Sequence, residues 1–295
     1  MSSDYFEWAK YNDDVMIIDD IPWHVRNKML MPIPLPHEIK NVNPQKVKLA
    51  LKKTKALLAH WTTQWDREES EWWWTCCDKK DYDIESIKHQ SGRRGILKGL
   101  SNCEVKRISP EDFAHLTYKI FYNSLKSYGY KKIPSYEEYY NDIIYKSQFK
   151  GFELWGAFTK GRIAAYAACI VLKDAVSLGS TKSDRELNYL YPNNALFFHI
   201  TKHYLRDRGM KYVTNGYRTL LHPTSINDFL IRLGYRKIFG KLNVELSSAA
   251  KLIASIKFVK SLSNIDFIKN KFPLQTAQIN GFLKLLEINH SFSTQ

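Results

Sequence analysis

Apolar stretches recur through residues 152–246, and turn and cap signals divide them at intervals. Residues 153–158 and 162–172, divided by Lys160-Gly161, predict a hairpin, and 175–181 adds a third strand. A Tyr-Pro-Asn-Asn start opens a helix over 191–208 that Gly209 closes. Residues 211–215 return to the sheet, 222–233 form a helix stopped by Gly234, and 235–246 supply the last strands. Ahead of this block, 103–108 is a strand. Ser109-Pro110-Glu111-Asp112 opens one helix, and Ser135 with Glu138 opens a second in the same way.

The first hundred residues carry a weaker pattern. Residues 15–18 and 23–28 predict two short strands around Asp19-Asp20, with Trp23 and Val25 on one side and His24, Arg26 and Lys28 on the other. Pro32, Pro34 and Pro36 predict an extended, unpaired segment. Asn43 before Pro44 starts a helix. Val47, Ala50, Leu51, Thr54, Leu58, Trp61 and Trp65 recur at helical spacing, so that helix is expected to run through Trp65. Residues 71–77 form a buried strand and 83–100 a helix. That helix carries Arg93, Arg94 and Lys98, and Gly92 and Gly95 weaken it. Residues 247–295 read as helical, with Leu252, Ile253, Ile256, Val259 and Leu262 opposite Lys251, Lys257 and Lys260.

A chain of 295 residues with 44% hydrophobic and 14% aromatic residues has the material for a sizeable core and excludes a disordered chain. No apolar run approaches the roughly 20 residues of a membrane span. The polar start MSSDYFEWAK lacks the apolar core of a secretion signal, so a cytoplasmic location is expected. Cys76, Cys77, Cys103 and Cys169 form no CxxC pair and have no histidine at zinc spacing, so no metal site is expected. The net charge of +14 is uneven: residues 1–100 hold 16 basic and 15 acidic residues, and the remainder holds 28 and 15. A basic field of this kind attracts phosphate-bearing partners, and it equally suits a solvated surface.

The element order from Cys103 to Leu246 is strand, two helices, three meandering strands, helix, strand, helix, strand. It resembles the GNAT (acyl-CoA N-acyltransferase) fold, and more narrowly its FemABX-like branch, whose members join two such lobes. The resemblance is carried by residues 87–103 (IKHQSGRRGILKGLSNC), 178–181, 191–196 (YPNNAL), 212–218 and 227–237 (NDFLIRLGYRK). It implies an α/β protein with a GNAT-like mixed, twisted sheet flanked by helices. The expected divisions are a shortened N-terminal lobe over 1–100, an acyltransferase domain over 101–248 and a helical C-terminal extension over 249–295. It further implies transfer of an acyl or aminoacyl group to an amine, with acyl-CoA or aminoacyl-tRNA as co-substrate and no permanently bound cofactor. Two positions depart from the family pattern. The Arg/Gln-x-x-Gly-x-Gly/Ala run before the central helix is replaced by RELNYLYPNN at 185–194. Leu230 stands where many acetyltransferases carry a tyrosine that protonates the leaving thiolate.

Candidate site residues follow from these elements. Gly179 inside a strand marks either a bulge that exposes backbone N–H groups to a donor or a simple kink. With Ser180, Lys182, Asn193 and Asn194 it forms the expected donor-binding set. The asparagines stand at a helix start, where Asn either caps the helix or adds to an anion site. Asn215 and Tyr217, at the end of the next strand, and Asp184, in the preceding loop, are the catalytic candidates. Asn215 can bind a carbonyl and Tyr217 can donate a proton, although a tyrosine here equally packs. Asp184 or Glu186 can act as base. Arg218, His222 and Tyr235 are candidates for holding a small-molecule or peptide acceptor such as an amino acid or amino sugar. The Arg93-Arg94-Lys98 group offers contacts to a diphosphate or an RNA backbone.

Three functions are therefore in view. One is a GNAT-fold transferase; another is a non-catalytic binding module for tRNA or another polyanion. The third adds peripheral membrane contact through a basic amphipathic helix over 251–260. No stable protein partner is implied.

Overall fold

The computed structural model describes residues 5–6, 9–10, 14–220, 226–255 and 273–292. Among these, two sheets hold the strands. The first has the order β1 (Asp14–Ile18), β2 (Ile21–Arg26), β3 (Met29–Pro32), β4 (Leu58–Thr63) and β12 (Lys241–Leu246). The second runs β11 (Arg236–Phe239), β5 (Trp73–Cys77), β10 (Tyr212–Tyr217), β9 (Ala175–Ser183), β8 (Arg162–Val171), β7 (Phe152–Thr159) and β6 (Glu104–Arg107). Helices α1 (Pro44–Lys53), α2 (Gln90–Asn102), α3 (Pro110–Ser127), α4 (Tyr136–Ser147), α5 (Pro192–Lys202), α6 (Ile226–Arg232), α7 (Ser248–Ser255) and α8 (Pro273–Ser291) flank them. This is the mixed α/β architecture that the element order predicts. Each sheet takes strands from both sides of residue 100: β5 lies between β10 and β11, and β12 lies beside β4.

Local chemistry sets most element ends. The side chains of Ser109 and Ser135 accept the N–H of Asp112 and Glu138, and Asn43 accepts the N–H of Gln45. Asp19 and Asp20, with φ of 52° and 61°, make the tight turn between β1 and β2.

Three expectations are corrected. The helix from Pro44 stops at Lys53, where Thr54 turns extended (φ −111°), and residues 58–63 form β4. The first five residues of β4 are all buried, so period-2 alternation is hidden there and the spacing of Leu58, Trp61 and Trp65 imitates a helix. Pro32 is not in an unpaired stretch: it ends β3 opposite Trp23, and the N–H of Ile33 donates to Pro22 O at 2.9 Å. The helix expected from residue 83 divides into a short 3-10 turn, Ile84–Ser86, and α2 from Gln90.

The glycines of α2 serve packing. A Cβ on Gly92 would lie 1.9 Å from Arg232 O, on Gly95 2.5 Å from Asn194 Nδ2, and on Gly99 2.5 Å from Tyr191 O. Three glycines on one helix therefore let α2 lie directly against α5 and α6. Helix propensity alone predicts that Gly99→Ala stabilises by about 1 kcal/mol. The close approach predicts the opposite sign, a loss of about 1–3 kcal/mol measured by urea unfolding.

An aromatic junction joins the two sheets. Trp72 and Trp74 both donate from Nε1 to Thr62 Oγ1 of β4, at 2.8 and 3.2 Å. Tyr217 stacks on Trp72 with ring centroids 5.0 Å apart. His60 of β4 stands edge-on to Tyr217 at 5.4 Å, and its Nε2 is buried without a hydrogen-bond partner. Burial, with the nearby His24 adding to it, pulls the His60 pKa down to about 4. The unfolded chain binds this proton near pH 6.5 and the folded chain does not. The His60 contribution is therefore fully present above pH 6.5 and is lost as pH falls from about 6.5 to about 4, costing about 3 kcal/mol. Between pH 7 and pH 4.5 the unfolding free energy of the native chain should fall by about 2 kcal/mol more than that of His60→Leu.

Candidate functional site

Strand β10 keeps a regular ladder with both neighbours only as far as Thr214. On one side it runs parallel to β9 through Tyr212–Ala175, Val213–Val176 and Thr214–Ser177, where the pairing ends. On the other it pairs with β5 through Thr214–Cys76, and the next partners are Tyr217 and Trp74. Asn215 and Gly216 lie in that irregularity, with Gly216 at φ +86° and its N–H donated to Thr214 Oγ1 at 3.0 Å. Strand β9 is bulged on its far side, because Ala168 opposes Ser180 while Cys169 opposes Leu178, leaving Gly179 unpaired. The bulge alternative for Gly179 is the one realised. A Cβ there would stand 3.1 Å from Ala168 O.

A cleft of about 640 Å³ opens where the two strands part. Its walls include Thr181, Lys182, Ser183 and Asp184 at the end of β9, Asn215 of β10, Asn193 and Phe197 of α5, Phe229 and Arg232 of α6, and Lys119, Asn123 and Ser124 of α3. It therefore gathers Lys182, Asp184, Asn193 and Asn215 from the residues expected from sequence.

The cleft is basic. Arg162 pairs with Asp184 and reaches Glu186 at 3.5 Å, and the Glu186 N–H donates to Asp184 Oδ1 at 3.1 Å. The two cleft carboxylates are thus engaged by one arginine. Among the described residues Lys119, Lys182, Arg185 and Arg232 have no carboxylate partner. Burial holds the Lys182 ammonium below the usual lysine pKa, and its Nζ lies 3.4 Å from Ser180 Oγ and 5.9 Å from the Phe121 ring centre. A half-buried cation without a counter-ion is the strongest local signal for an anionic or negatively polarised ligand.

Neither asparagine caps α5. The cap is Tyr191, in the left-handed conformation (φ 60°, ψ 41°), with no side-chain hydrogen bond to the helix. Asn193 Nδ2 instead donates to Ser183 Oγ at 3.0 Å, fastening the helix start to the end of β9. Asn194 faces away from the cleft, into the hollow between α2, α5 and α6.

The remaining candidates sit elsewhere. Tyr217 is in the aromatic junction, where burial raises its phenol pKa. Arg218 donates from Nη1 to Glu71 O at 2.7 Å, with its guanidinium 5.7 Å from the Trp73 ring. Tyr235 is 3% exposed and shares a 2.7 Å hydrogen bond with Thr201 in the core. Leu230 is wholly buried. His222 lies outside the described residues.

Sequence reasoning missed Lys119, Arg162, Phe229 and Arg232. Arg162 opens a strand and Lys119 sits mid-helix, so neither carries a local signal. All four cysteines are buried free thiols, and burial pushes Cys76 and Cys77 up to about 12, leaving no thiolate at neutral pH. His37, Glu38 and Asp174 bring potential ligand atoms within 4.8 Å of one another at the other end of β9. There Asp174 already accepts from His37 Nε2 at 2.9 Å and Lys211 Nζ at 2.8 Å, an ion-pair cluster.

No protein-family model matches the chain, and no curated protein matches it. Solved structures do. The C-terminal domain of a putative lysylphosphatidylglycerol synthetase from Agrobacterium fabrum is 13% identical with a TM-score of 0.57, covering 88% of this chain and 92% of that one. FemX is 9% identical with a TM-score of 0.56, over 86% and 93% of the two chains. L-PGS from Bacillus licheniformis is 9% identical with a TM-score of 0.52, over 90% and 97%. The likeness at these identities is one of fold, and the fold is the GNAT-like, FemABX-like one that the order of elements suggests. No helix among the described residues is long and apolar enough to cross a membrane. Most of the 251–260 segment, the candidate membrane contact, lies outside the described residues or has undescribed side chains.

Proposed function

We propose that this protein is a transferase that moves an acyl or aminoacyl group from an activated carrier, of the CoA or tRNA type, to an amine on a peptide, amino acid or amino-sugar acceptor. The observation that carries the reading is the basic cleft at the parting of β9 and β10, with Asn215 and the unpaired Lys182 on its walls. The names of two similar structures, FemX and a lysylphosphatidylglycerol synthetase, lend it support by fold.

The chemistry needs few parts. The edge of β9 beyond Ser177 has no ladder partner on β10 and offers backbone groups to a donor laid between the strands. Attack of the acceptor amine on the donor carbonyl forms a C–N bond and an oxyanion. Lys182 and the Asn215 amide are the groups of this cleft that can stabilise that charge. Collapse breaks the bond to the carrier, whose oxygen or sulfur takes the proton released by the amine. Asp184, positioned by Arg162, can pair with the acceptor ammonium before that proton leaves. Tyr217 has no part in the step, because its ring is stacked in the junction between the sheets.

Steady-state assays with acetyl-CoA and with charged tRNA, each offered with amine acceptors, test the reading. Lys182→Met and Asn215→Ala should each lower kcat/KM by about 10²-fold or more while leaving the thermal midpoint in place. Tyr217→Phe should stay within about threefold of the native enzyme. Salt-sensitive RNA binding with no turnover of either donor would replace transfer with the non-catalytic anion-binding module.

A further inference from the structure

The extra residue at Gly179 also decides which core the end of β9 faces. Cys169, opposite Leu178, belongs with it to the core packed against α5, whereas Ala168, opposite Ser180, belongs to the core packed against α3 and α4. One unpaired residue between them exchanges the faces of the strand. Ser180 and Lys182 therefore turn to the α3/α4 side, with Lys182 opposite Tyr166. Among the described residues the one hydrogen-bond acceptor of Lys182 Nζ is Ser180 Oγ, at 3.4 Å.

Beyond Ser180 lies a row of buried hydroxyls. Tyr166, 1% exposed, has Tyr139 and Ser180 as its hydroxyl neighbours and meets neither at full hydrogen-bond geometry. A buried phenol left unpaired is costly, so its O–H closes on these two groups. The far end of the row fixes its direction. Thr117 Oγ1 donates to Phe113 O at 2.5 Å and shares a 2.8 Å hydrogen bond with Tyr139 Oη. With the Thr117 proton committed to a carbonyl, Tyr139 must donate to Thr117. The Tyr139 lone pairs are then open to the Tyr166 proton, those of Tyr166 to the Ser180 proton, and those of Ser180 to Lys182. Every hydroxyl in the row thus donates away from the cleft, towards the first turn of α3. Phe113 packs edge-on against Tyr166 at 5.1 Å and Phe121 stacks on Tyr139 at 4.4 Å. These rings wall the row from water, where successive hydrogen bonds polarise one another.

Among the described residues no carboxylate steadies the Lys182 charge. The charged groups around it are Lys119 of α3, Arg162 of β8, Asp184, Arg185 and Glu186 beyond β9, and Arg232 of α6. Both of those carboxylates are engaged by Arg162. Burial meanwhile pulls the ammonium towards its neutral form. We infer that the row Ser180–Tyr166–Tyr139–Thr117 is the positioning device of the cleft: it takes one N–H of Lys182, holds the ammonium charged on the wall, and leaves the other N–H groups to a ligand. Ser180, Tyr166 and Tyr139 are positioning residues that act through Lys182. That the ligand is a reacting carbonyl rests on the transfer reading above; the hold on Lys182 does not.

The test is competitive labelling of the full chain with a trace of acetic anhydride at a series of pH values. Mass spectrometry of the Lys182 peptide then gives the pH midpoint of that amine without any donor or turnover. Ser180→Ala and Tyr166→Phe should each lower the midpoint by about one unit, because the charged form loses its acceptor or the acceptor's support. Tyr139→Phe should lower it less, and Ser180→Thr, which keeps the hydroxyl, should retain the native midpoint. Tyr118→Phe, which removes a phenol bonded to Pro134 O in the same helical layer, should also leave it in place. In turnover, the alkaline limb of kcat/KM should move down in pH with the labelling midpoint in Tyr166→Phe. A midpoint unmoved by Ser180→Ala and Tyr166→Phe, or moved equally by Tyr118→Phe, would overturn the inference. So would a limb that stays in place while the midpoint moves. A midpoint that moves as expected in a protein that turns over neither donor would sink the transfer reading and leave this one standing.

Discussion

The constraint on which the candidate site depends is the position of β10 between two ladders that both give way at the same residue. It is hydrogen-bonded in parallel to β9 and antiparallel to β5 up to Thr214, and beyond that neither pairing is regular. A strand interior to a sheet ordinarily satisfies its backbone on both sides. Releasing it at Asn215 opens the cleft and leaves polar groups facing it, and the Gly216 turn, at φ +86°, then carries the chain back to β5 at Tyr217. The same short stretch thus makes the cleft at one residue and the aromatic junction two residues later.

That junction explains why the two sheets are tied at this place. β5 is encoded among the first hundred residues but lies in the larger sheet, and β12 is encoded near residue 245 but lies in the smaller one. Trp72 and Trp74, beside and within β5, reach Thr62 of β4, and Tyr217 and His60 fill the space between them. Each sheet completes itself with a strand from the far part of the chain. The position of β10, and so of the cleft, is consequently coupled to residues 58–77.

The glycines of α2 give a second coupling. By allowing α2 to lie on α5 and α6, they bring Arg94 and Lys98 beside Arg232 and Tyr191, residues far apart in the chain. Glycine in a helix interior is a local cost. Here the cost is offset by a helix–helix approach that longer side chains forbid, and the basic face of α2 becomes one wall of a hollow.

Much of the fold was legible along the chain, because caps and breakers act within four residues. Ser109, Ser135, Gly209 and Gly234 mark element ends wherever the rest of the molecule lies. The break at Gly179 and the placing of Lys182, Asp184, Asn193 and Asn215 at strand ends and a helix start were readable for the same reason: a glycine in a strand and polar residues at strand ends are local signals. The route of 54–65 was not legible, since β4 is buried on both faces and its apolar spacing matches a helix as well as a strand. Nor were the destinations of Tyr217, Arg218 and Tyr235, three residues of similar local promise. Only the packing of β5 against β10 turns Tyr217 and Arg218 towards Trp72 and Glu71, and only the seat of α5 on the sheet gives Tyr235 to Thr201. Sequence by itself settled those element ends that carry a cap or a breaker, because hydrogen-bond caps and backbone dihedrals are short-range. Tertiary structure alone decided which side chains share a cavity, because burial and charge pairing depend on strands exchanged across more than a hundred residues of chain.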